Sequence, residues 1–141
     1  MALHNVSMSR PVIAKYLINT YRYPSRLVIA EGKSIYSMEG TTQGDPLAMP
    51  WYSLSTVAII EHLMQILPSV KQVWLAADAS AAGDLKSLFE WYEKLTCVGS
   101  GFGYLVNKSK SWLIVKSAEM EEKAISIFGN QVNITKEGQC H

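Results

Sequence analysis

The chain has 141 residues, 48% hydrophobic and 18% charged, with 13 Lys and Arg against 12 Asp and Glu, so its net charge is +1 at pH 7. That length and composition suit one globular domain with a real core and exclude a low-complexity or repeat chain. A balance so near neutrality gives no strong electrostatic pull toward nucleic acid or a membrane surface.

In chain order, residues 1–10 read as loose. Pro11 to about Tyr21 predicts a helix, because Val12, Ile13, Tyr16, Leu17 and Thr20 recur at helical spacing and Pro is tolerated in a first turn. Tyr23-Pro24-Ser25 ends it. Arg26–Ala30 and Lys33–Met38 are β-like runs around Glu31-Gly32, a hairpin pattern in which Gly supplies positive φ. Asp45 can cap a helix with Pro46 at its first position. That helix is expected to become regular from about Trp51, after the awkward Pro50, and to reach about Leu67. Val57, Ile60, Leu63, Met64 and Leu67 form its apolar face.

Val70–Leu75 is a buried-strand pattern, and Ala79–Ala81 a possible return strand after a turn that holds Asp78. Asp84 caps the next helix, with Leu85, Leu88, Phe89, Tyr92 and Leu95 on one face and an end near Gly99. Gly99-Ser100-Gly101-Phe102-Gly103 has no dinucleotide or Walker pattern and reads as a flexible linker. Ser111–Val115 is a strand. Ser117 caps a last helix, Ala118 to Phe128, with Glu119, Glu121 and Glu122 near its positive end, and Val132–Thr135 is a short final strand. Trp74, Phe89, Trp91, Tyr92 and Trp112 read as core and rim packing. The tail at residues 136–141 stops abruptly, as a cut fragment would.

Three stretches carry a resemblance. Gln43-Gly44-Asp45-Pro46-Leu47-Ala48-Met49 resembles the second palm motif of retroelement reverse transcriptases. Leu75-Ala76-Ala77-Asp78 resembles the third, which normally ends in two aspartates. Gly103-Tyr104-Leu105-Val106-Asn107-Lys108-Ser109-Lys110 resembles the fourth, a Gly…Asn…Lys pattern. Their order and spacing agree with the family over nearly the whole chain. The resemblance implies an α+β fold, a fragment of a polymerase palm with helices packed on a small antiparallel sheet, formed by residues 1–141 as a single partial domain. It implies descent from RNA-directed DNA polymerases, with an RNA template and a DNA primer as partners and Mg²⁺ as the cofactor of the intact family.

Residue by residue, the resemblance makes Asp78 a metal ligand and catalytic carboxylate. Lys110 becomes the cation near the leaving group, and Gln43 and Gly44 the neighbours of nucleotide and template. The departures are specific. Ala77 stands where the family has an aspartate, and the first palm motif, with another metal-binding aspartate, is expected upstream of Ala2-Leu3-His4-Asn5. Two Mg²⁺ ions need several converging carboxylates, so this form is expected to be inactive, and an intact polymerase is expected to be more basic along its template channel. The rival reading is a domesticated, non-enzymatic module that binds nucleic acid or a protein.

Without the resemblance, Asp78 reads equally as a turn aspartate, Gly44 as a loop glycine before a helix, and Lys110 as a solvated surface charge. Tyr21, Arg22, Tyr23 and Arg26 interleave aromatic and basic side chains, which suits either a nucleic-acid surface or the edge of a core. Cys97 and Cys140 have neither metal-like nor disulfide-framework spacing and read as reduced thiols of an intracellular protein, cytoplasmic or nuclear. The scattered His4, His62 and His141 suggest no metal cluster. No apolar run is long enough to span a bilayer. Self-association through an exposed sheet edge is also expected.

Overall fold

The computed structural model describes residues 11–38, 45–46 and 48–136. It is a mixed α+β chain. The chain divides into two compact units, Met1–Ala58 and Ile59–His141, and the division falls inside a helix.

In the first unit, helix α1 (Pro11–Tyr21) leads to strands β1 (Ser25–Val28) and β2 (Ser34–Ser37). The strands pair antiparallel, with Arg26 opposite Tyr36 and Leu27 opposite Ile35. A tight turn over Ala30–Gly32 joins them, with Glu31 at φ +67 and Gly32 at φ +74. Glycine meets that requirement at no steric cost, whereas Glu31 occupies a region side chains rarely adopt. Apart from half-buried Ser25, the paired residues of this hairpin are exposed. Ala14 and Trp51 are buried in this unit, and the Tyr16 ring lies 5.8 Å from that of Trp51.

Helix α2 (Ala48–Ile66) begins three residues earlier than Pro50 alone suggests. Pro50 is the third helical residue, where the backbone N–H has no intrahelical acceptor in any case, so its missing donor breaks no bond. The Ala48 N–H donates to Asp45 O at 3.0 Å, which sets the entry.

In the second unit, Ile59, Leu63 and Leu67 join Val70, Trp91, Tyr92, Leu95 and Phe128 in the core. Strands β3 (Lys71–Leu75) and β4 (Asp78–Ala82) form an antiparallel hairpin, with Leu75 opposite Asp78. Side chains alternate across a strand. Trp74, Ala79 and Ala81 therefore pack on the core, while Lys71, Val73 and Leu75 face outward. Helix α3 (Leu85–Gly101) starts at Asp84, whose carboxylate accepts from the Ser87 N–H at 3.0 Å. Strand β5 (Trp112–Ile114), helix α4 (Ala118–Phe128) and strand β6 (Asn133–Thr135) form a β–α–β unit. Its strands pair parallel, unlike the two hairpins, because the helix between them carries the chain back to the starting end. Among the described residues, β1–β2, β3–β4 and β5–β6 are each a separate two-stranded sheet.

The Gly-rich stretch is not a linker. Gly99 and Gly101 belong to the last turn of α3, and the helix closes in a Schellman motif. Gly103 at φ +80 donates to Ser100 O at 3.2 Å, and Tyr104 N–H returns to Gly99 O at 2.9 Å. This closure determines where Tyr104 lies, and Tyr104 bears directly on the candidate site.

Candidate functional site

The β3–β4 hairpin turns at Ala76 and Ala77, and Asp78 is the first residue of β4. Ala76 takes φ +53, a conformation usually reserved for glycine or asparagine. Two alanines are poor turn formers, so the turn is held from outside. The Tyr104 hydroxyl donates to Ala77 O at 2.8 Å. The Tyr104 ring stands edge-on to Trp74, centroids 5.4 Å apart, and Trp74 in turn meets Trp91 at 6.5 Å. Beneath them Gln72 Oε1 accepts from both indoles, Trp74 Nε1 at 2.9 Å and Trp91 Nε1 at 3.2 Å. A single amide oxygen thus ties the strand to helix α3.

Asp78 itself is exposed, and among the described residues it forms no ion pair. Lys110 is exposed too, at the end of a single 3-10 turn, Lys108–Lys110. That turn is pinned on both sides. The Asn107 side chain accepts from Ser109 N–H at 3.1 Å and from its hydroxyl at 2.7 Å, while the Asn133 amide donates to Ser109 O at 3.0 Å. Hydrogen bonds therefore tie down the backbone beside both Asp78 and Lys110, although no bond joins the two side chains among the described residues. Gln43 and Gly44 lie outside the described residues.

The hairpin does not fit a two-metal centre. Mg²⁺ requires hard oxygen ligands in near-octahedral geometry, and a pair of ions requires converging carboxylates. Here Asp78 offers one carboxylate and Ala77 a methyl. The carbonyl oxygen of Ala77 accepts from Tyr104, which takes one of its two lone pairs.

The proposed nucleic-acid residues of the first unit divide. Tyr21 is half-buried and its hydroxyl donates to the Asp45 carboxylate, so it serves the unit's interior. Arg22 is exposed and its guanidinium lies 4.6 Å over the Tyr23 ring, a cation–π contact. Arg26 is exposed on β1, directly across from Tyr36.

No family model, no curated protein and no solved structure matches the chain. Sequence reasoning missed three participants: Tyr104 as the clasp on the turn, Gln72 as the double acceptor, and Tyr36 as the partner of Arg26. Tyr104 was findable, since it directly follows a glycine that closes a helix. Gln72 and Tyr36 owe their roles to a fold-level pairing that no local pattern records.

Proposed function

We propose that this chain is a reverse-transcriptase-like palm piece, of the RNA-directed DNA polymerase class by descent, and catalytically inactive as it stands. The observation that carries the reading is a β-hairpin with Asp78 beside its turn. It follows the long helix that the Gln43-Gly44-Asp45-Pro46 run precedes, and Tyr104 of the Gly103–Lys110 segment donates to the carbonyl of its turn residue Ala77. In the family such a hairpin presents two carboxylates to Mg²⁺, and here Ala77 leaves it one short. An intracellular setting, with nucleic acid as the partner, belongs to the same reading.

The non-enzymatic module is the second reading. It is favoured by the Ala77 carbonyl, whose bond to Tyr104 uses the turn for structure instead of ligation. Primer extension on a primed RNA template with Mg²⁺ separates the two. The chain as it stands and Ala77→Asp alone are expected to give no extension. Ala77→Asp joined to an upstream palm segment with its aspartate, and to fingers and thumb, is expected to extend the primer. Extension by the unaltered chain above a no-protein control refutes inactivity, and failure of the full repair refutes descent from a polymerase.

A further inference from the structure

Charge is distributed unevenly along this chain. From Pro11 to Met38 the basic residues are Lys15, Arg22, Arg26 and Lys33, and the only acid is Glu31, a net of +3. The whole chain carries +1, so all other positions together carry −2. Glu31 and Lys33 sit 3.8 Å apart at the hairpin tip, both well exposed, which leaves Arg26 as the cation of its strands, with Arg22 just before them.

Aromatic rings accompany those two arginines. Tyr36 is 62% exposed and faces the same side of the hairpin as Arg26, since the two are cross-strand partners. Tyr23 is 68% exposed, three residues before Arg26, and carries the Arg22 guanidinium on its face. A tyrosine so exposed at an apolar-rich hairpin gains little from folding. Two of them, each paired with an arginine, match what a single strand of nucleic acid needs: flat rings for bases and cations for phosphates. Bases in a single strand are free to stack, whereas those in a duplex are already stacked.

We propose that the Arg26–Tyr36 side of the β1–β2 hairpin, with Arg22 and Tyr23 at its foot, is a stacking platform for single-stranded nucleic acid. This deepens the nucleic-acid partner of the reading above, but it needs neither metal nor the Asp78 hairpin. The platform takes RNA and DNA strands alike, because stacking and phosphate contacts do not depend on the 2′-hydroxyl.

The test is fluorescence anisotropy of labelled twelve-nucleotide oligouridine and oligothymidine with the full chain, in EDTA, over a salt series. Binding that weakens with salt is expected. Tyr36→Ala is expected to weaken it at least about fivefold, from the loss of one base–aromatic stack, and Tyr36→Phe to restore it. Arg26→Gln is expected to lower the salt slope by about 0.7. Lys94→Gln, on the surface of α3, is expected to leave affinity unchanged. Circular dichroism confirms that each variant folds.

Absence of binding by the wild-type chain at low salt overturns the platform, as does equal affinity of wild type and Tyr36→Ala. Self-association by light scattering that Tyr36→Ala abolishes, without oligonucleotide binding, overturns it in favour of a second copy on this face. The two readings fail separately. A repaired chain that extends primers while Tyr36→Ala binds normally keeps polymerase descent and removes the platform. An inert repaired chain with Tyr36-dependent binding does the reverse.

Discussion

Gly99→Ala tests whether the end of α3 governs the Asp78 turn. In an ordinary helix this change stabilises by about 1 kcal/mol, since alanine is the better helix former. At Gly99 the added Cβ would lie 2.8 Å from Tyr104 O, a backbone atom, and 3.5 Å from both Ile59 Cδ1 and Tyr104 Cδ1. The first distance is too short for any real contact, so the Tyr104 backbone must move. That displaces the Tyr104 N–H bond to Gly99 O and the hydroxyl bond to Ala77 O, about 1 kcal/mol each. It also loosens the edge-on contact with Trp74, about 0.5–1.5 kcal/mol. Set against the helix gain, the net loss is about 2 kcal/mol. Gly101→Ala is the internal control, because nothing lies within 4 Å of its Cβ and it is helical. Urea unfolding followed by tryptophan fluorescence reads both. With a slope of about 2 kcal/mol per molar, Gly99→Ala lowers the midpoint by about 1 M, while Gly101→Ala leaves it unchanged or raises it. Equal midpoints for the two variants would refute the close-approach argument.

Two further predictions concern pH. Hydrogen bonds from Ser87, the hydroxyl first and then the backbone N–H, hold the Asp84 carboxyl below its ordinary value of 3.8. A depressed carboxyl stabilises the fold above the unfolded value and loses that contribution as pH falls through the folded one. Urea midpoints of the wild type should therefore drop more steeply below about pH 4 than those of Asp84→Asn, which keeps a capping side chain but does not titrate. Burial pushes the Tyr92 phenol above its ordinary 10.0, against a smaller opposing effect from Ser111, and its hydroxyl donates to Gln131 O at 2.9 Å. The unfolded phenol ionises first, so stability present below pH 10 declines as pH rises toward the folded value. Tyr92→Phe should flatten that alkaline decline, and absorbance of tyrosinate at alkaline pH should show one fewer late-titrating phenol; an unchanged titration would refute the assignment.

Local chemistry made most elements readable in advance. Pro11 opened a helix, Asp84 and Ser117 capped two more, and Glu31-Gly32 turned a hairpin, each through a mechanism confined to a few neighbouring residues. What stayed hidden was whatever depends on distant partners. Gly99 looked like a linker residue because its packing against Tyr104 is invisible along the chain. The parallel pairing of β5 with β6 depends on how α4 returns the chain, not on the three residues of either strand. At the candidate site, Asp78 and Ala77 could be read directly, but the clasp that immobilises them could not. Arg26 was legible as a cation, and its aromatic companion Tyr36 emerged only with the strand register.

The alanine turn at Ala76-Ala77 has a consequence for the order in which the second unit forms. A turn of asparagine and glycine would let β3 and β4 pair on their own within microseconds. Two alanines, one of them at φ +53, give the ribbon no local nucleus. The bond that holds the turn comes from Tyr104, 27 residues beyond Ala77, which follows the end of α3, so closure is expected to come late. Loop-closure entropy is thus spent before the strands contribute any pairing. The hairpin that carries Asp78 is therefore expected to gain amide-exchange protection no earlier than α3 during refolding.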